Sequence, residues 1–90
     1  MKRFEAAIDE FEKVWKVKHP EGFFAYYIET IRFYDGRRLY TCRIHAYTGN
    51  EETDEDIRNV PSMEESGETY EEAETKIIEQ INKKKEELND

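Results

Sequence analysis

Apolar residues recur along this chain with two different periods. In residues 3–18, Phe4, Ala7, Ile8, Phe11, Val14 and Trp15 fall at three- and four-residue steps with charges between them. That spacing predicts an amphipathic helix, braced on its polar side by the i,i+4 pair Glu12 and Lys16. Pro20 disfavours helical geometry at the residue before it, so the helix stops near Lys18. Residues 23–34 (FFAYYIETIRFY) and 38–48 (RLYTCRIHAYT) are rich in aromatic and β-branched side chains and predict strands. Asp35-Gly36 between them is a strong hairpin signal. The stripe Tyr70, Ala73, Ile77, Ile81 and Leu88 predicts a second helix over 69–88. Thr69 is its N-cap and Glu72, three residues on, completes a capping box. Glu71, Glu72 and Glu74 suit the positive end of its dipole, and Lys83, Lys84 and Lys85 the negative end.

The pattern leaves two hairpin registers open. A three-residue loop of Tyr34, Asp35 and Gly36 pairs Ile28 with Cys42, Tyr26 with Ile44 and Phe24 with Ala46, and leaves Glu29 in water. A two-residue Asp-Gly loop turns Glu29 onto the core face opposite Cys42. The first is preferred, because an unpaired buried carboxylate costs several kcal/mol. Ile57 to Val60 is a candidate third edge strand, ended by Pro61, within a stretch that otherwise reads as loop from 48 to 68. The expectation is one α+β domain, 1–90: a helix, an antiparallel hairpin or three-stranded sheet, an acidic loop over 48–68, and a closing helix. Both helices cover one face of the sheet. The other face then carries Phe23, Tyr27, Ile31, Phe33, Leu39 and Tyr47. So much apolar surface implies a partner, a second copy, or a segment of the chain folded back over it.

Charge changes this picture. The net charge is −8, and residues 48–68 hold eight acids against Arg58 alone, a charge of −7. A frame near neutrality thus carries one acidic segment. Such a segment repels nucleic acid and attracts basic surfaces. At 37% hydrophobic and 40% charged the chain is unusually polar, but its aromatic residues are clustered, as a folded domain requires. No apolar run approaches the roughly 20 residues of a membrane span. Cys42 is the only cysteine, so no intrachain disulfide forms, and a cytoplasmic setting, including a host's during infection, is expected.

Catalytic and metal chemistry find little support. Cys42 and His45 are three residues apart on a strand and point to opposite faces, which separates a thiol from its base and divides a metal pair. His19 beside the helix end suits carbonyl capping. The acids of 51–56 lack the calcium-loop pattern, and the four glycines are isolated, so no phosphate loop is present. Arg32, Arg37, Arg38 and Arg43 gather near the hairpin, but the overall field opposes direct nucleic-acid binding. No enzyme, cofactor or metal is expected.

The order of elements resembles a double-stranded RNA-binding domain. Its closing helix, however, starts Tyr70-Glu71-Glu72-Ala73-Glu74 where such domains present lysines, so no RNA-binding residue carries over. The segment ETYEEAETKIIEQI (residues 68–81), the short length and the dense acids resemble small acidic proteins of phages and mobile elements, among them the anti-CRISPR inhibitors. That resemblance implies a non-enzymatic inhibitor that occludes a basic, nucleic-acid-binding surface of a host effector such as a CRISPR nuclease, its carboxylates standing in for phosphates. The residues expected to touch the partner are Glu51, Glu52, Asp54, Glu55, Asp56, Glu64, Glu65, Tyr27, Phe33 and Tyr47. The alternative is a homodimeric structural or regulatory protein that pairs through its exposed sheet face.

Overall fold

The first helical stripe is what packs. A computed structural model of the protein describes residues 2–47 and 62–89, the side chains of Lys2 and Asn89 excepted. Helix α1 (Lys2–Lys18) buries Phe4, Ile8, Phe11 and Trp15, and Glu12 pairs with Lys16 at 2.9 Å on its outer side. Strands β1 (Phe23–Arg32) and β2 (Arg38–Tyr47) form the hairpin, β3 (Ser62–Gly67) adds to the far side of β2, and helix α2 (Tyr70–Asn89) closes the chain. The sheet is antiparallel with β2 in the centre.

The register is the preferred one: Phe24 faces Ala46, Tyr26 faces Ile44, and Ile28 faces Cys42. The turn explains why. The Gly36 amide donates to the Phe33 carbonyl at 3.0 Å, and the Phe33 amide donates to the Arg37 carbonyl at 2.8 Å. Gly36 lies in the left-handed region at φ 92°, open to glycine with little penalty, so the three-residue loop with its bulge wins over the two-residue turn. The Asp35 carboxylate accepts from the Arg37 backbone amide at 3.1 Å and from its Nε at 2.8 Å, which fixes the loop.

One correction concerns the acidic stretch. Its last part, Ser62–Gly67, is strand where loop was expected. The candidate strand over 57–60 lies outside the described residues. β3 leads straight into α2. The Thr69 hydroxyl accepts from the Glu72 amide at 3.1 Å, and the Glu72 carboxylate reaches back to the Glu68 amide at 3.2 Å, one residue before the cap. A Cβ on Gly67 would stand 2.8 Å from the Ala73 amide nitrogen, so only glycine lets the strand approach the helix start this closely. At the other end, the last turn of α2 holds no basic residue; Lys84 pairs with Glu87 and Lys85 with Glu10 of α1.

Arg3 meets Glu74 and Glu10 meets Lys85, so α1 and α2 run in the same direction. Together they cover one face of the sheet. The core between them consists of the α1 residues above, Cys42, Ile44 and Ala46 of β2, Met63 of β3, and Ala73, Ile77 and Ile81 of α2. Phe24, Ile28 and Tyr40 pack against it.

Candidate functional site

Among the described residues, no helix lies on the opposite face of the sheet. Strand alternation assigns it Phe23, Tyr27, Glu29 and Ile31 from β1, Leu39, Thr41, Arg43, His45 and Tyr47 from β2, and Ser62, Glu64 and Ser66 from β3. Phe23, Tyr27 and Ile31 keep 45%, 43% and 37% of their surface exposed, far more than the helix-side residues of β2.

At the centre is Arg43, on the middle strand. Its guanidinium lies 3.3 Å from Glu29 on β1 and 3.2 Å from Glu64 on β3, so one cation bridges two carboxylates across all three strands. The contacts are close charge pairs more than aligned hydrogen bonds. Arg43 does donate a bond to the Tyr27 hydroxyl at 3.2 Å and a long one to Glu64 Oε1 at 3.4 Å. The Tyr27 bond, with the carboxylates behind it, pushes the guanidinium further toward its charged form. The strip keeps a net charge of −1. Rings flank it on one side: the Arg43 guanidinium lies 5.8 Å from the centre of the Tyr27 ring, Tyr27 is 6.3 Å from His45, and Phe23 stacks on Tyr47 at 4.7 Å. On the other side, the Thr41 and Ser66 hydroxyls bond at 2.8 Å. Ionic, aromatic and hydroxyl contacts tie the three strands together on this face.

The structure brings some expected residues together and separates others. Tyr27, Tyr47 and Glu64 share the open face. Glu65, next to Glu64 on the strand, pairs with Cys42 on the helix side and borders Lys76, Gln80 and Lys83 of α2, so it leaves the site. Phe33 sits at the hairpin end under Arg37, 5.3 Å from its guanidinium, roughly 30 Å along the strand from Phe23. Glu51, Glu52, Asp54, Glu55 and Asp56 lie outside the described residues. Sequence reading passed over Arg43 as the bridge, with Glu29 and His45 beside it. The signal was present in the alternation of Thr41, Arg43 and His45 on β2, but their acidic partners are set by pairing between distant segments.

Cys42 is wholly buried on the helix side, and burial first, then the Glu74 charge, pushes its thiol up. His45 is on the other face, and His19 stacks on Trp15 at 4.2 Å. Among the described residues no group of three or more His, Cys, Asp and Glu could hold a metal, and no described helix is long and apolar enough to cross a membrane. Compared with known proteins, the chain matches no family model, no curated protein and no solved structure.

Proposed function

We propose that this is a non-enzymatic binding protein that lays the open face of its sheet on a basic protein surface. The reading extends to the inhibitor type: a phage-type protein occluding the nucleic-acid-binding surface of a host effector, such as a CRISPR nuclease, from the cytoplasm. One observation carries it. Among the described residues, a sheet face with no helix over it presents Phe23, Tyr27 and Tyr47 around an arginine outnumbered by two carboxylates. Rigid rings supply area at low entropic cost, and unbalanced carboxylates favour lysine and arginine. The acids at 51, 52 and 54–56 precede β3 directly in the chain and add to a charge of −8, which speeds encounter with a basic partner. Two copies pressed together through this face would set like fields against each other, so a basic partner fits it better than a twin.

The test is capture of a panel of purified nucleic-acid-binding effectors on the immobilised protein at low and at physiological salt. Tyr27→Ser with Phe23→Ser should weaken capture at least tenfold, mainly through faster dissociation. Replacing Glu51, Glu52, Asp54, Glu55 and Asp56 by Gln or Ser should slow association and flatten the salt dependence. Capture indifferent to both sets sinks the reading.

A further inference from the structure

The sheet has two edges, and the molecule treats them differently. β3 is short, carries Glu64 and Glu65, and has the Lys76 ammonium donating to the Ser66 carbonyl at 3.2 Å. Charges, shortness and a covering side chain are how natural sheets stop an edge from pairing. Among the described residues β1 has no such guard. Its ten residues, FFAYYIETIR, contain no lysine, proline or glycine and run against β2 without a bulge. Glu29 and Arg32 are its only charges and cancel, which makes this a neutral line on a molecule of −8.

The turn shows which backbone groups are free. Phe33 is hydrogen-bonded to Arg37, so by antiparallel alternation the odd-numbered residues of β1 bond to β2. Phe24, Tyr26, Ile28, Thr30 and Arg32 therefore point their amides and carbonyls outward. Among the described residues no hydrogen bond reaches these groups.

We infer that β1 pairs antiparallel with β1 of a second copy across a two-fold axis, joining two sheets into one of six strands. The strand complements itself. Centred on Ile28, the pairing sets Tyr26 opposite Thr30 and Phe24 opposite Arg32; on the open side it sets Tyr27 opposite Glu29 and Phe23 opposite Phe33. No like charges meet, and every outward residue is used. Centring on Tyr26 leaves Thr30 and Arg32 facing residues beyond the strand. Arg32 gains most. Within one chain it lies directly opposite Arg38, a repulsive pair, and the partner's Phe24 offers its guanidinium a ring. Each residue meets its counterpart reciprocally, as a two-fold interface requires. The axis is perpendicular to the sheet, so all four helices stay on one side and the two open faces become one. This pairing is independent of what that face binds.

Sedimentation equilibrium from about 10 µM to about 1 mM, the range of modest affinities, tests the inference. The 10.9 kDa chain should approach twice its mass with rising concentration. Thr30 is exposed and its amide points outward, so Thr30→Pro removes a donor to the partner without breaking a β1–β2 hydrogen bond. Thr30→Lys adds the missing guard and decides the matter should the proline variant lose its fold by circular dichroism. Either folded variant should weaken association at least tenfold, and Tyr47→Ser, on the middle strand, should leave it unchanged. A wild type monomeric throughout, Thr30 variants that associate like wild type, or a dimer abolished by Tyr47→Ser each overturn it.

Discussion

Glu74 shows how an acid survives inside a core this small. It is 4% exposed, accepts a bond from the Tyr70 hydroxyl at 2.9 Å and lies 3.5 Å from Arg3. Burial alone would raise its pKa; the Tyr70 bond and the nearby positive charge, Arg3 included, outweigh it and hold the carboxyl below the ordinary range. Burial and the same bond push the Tyr70 hydroxyl strongly up. A depressed carboxyl stabilises the fold at neutral pH and loses that contribution as pH falls through its folded pKa. Glu74→Gln should therefore be less stable than wild type at pH 7, and the gap should close as pH falls below about 4. Urea denaturation of both proteins from pH 7 to pH 3 checks this, and a gap that widens toward acid contradicts the assignment. In the sequence Glu74 looks like Glu71 and Glu72, one more acid near a helix start. Its burial follows from α1 lying alongside, which no local pattern encodes.

At the scale of elements, the parts legible in the sequence are those whose cause lies within a few residues. The Thr69 cap is one. Thr69→Ala should cost about 1 kcal/mol, roughly 4–8 °C in Tm for a domain of this size, with no change in the hairpin. Thermal unfolding followed by circular dichroism tests it; a shift below 1 °C would mean the cap is idle. The hairpin register was readable for a similar reason, since it depends on Asp35-Gly36 and the desolvation of Glu29. β3 was not. SMEESG has weak strand propensity, and its place is decided by β2, which offers Thr41 to Ser66, Arg43 to Glu64 and a core side for Met63.

At the scale of the molecule, the core of the described residues is one layer of side chains between two helices and one sheet face. Phe11 is 1% exposed and meets both Trp15 and Phe24. Phe11→Ala should cost about 3–5 kcal/mol, a large share of the roughly 5–15 kcal/mol available to a domain. A loss under about 1 kcal/mol in urea denaturation would show that α1 is not docked as described. The one-sided core is also why the open face exists: two helices suffice to cover a three-stranded sheet once. Among the described residues, the other side has its rings and its Arg43 strip with no helix over them.

The helices, their stripes, the cap and the hairpin turn were written into neighbouring residues, because helix period, capping and turn chemistry act over four residues or fewer. Three features needed the folded chain. Consecutive acids Glu64 and Glu65 part to opposite faces only once β3 has a register on β2. Arg43 finds Glu64 across 21 positions, and Lys85 finds Glu10 across 75. Contacts at such separations are selected by how apolar faces pack together, and the charges follow where that packing carries them.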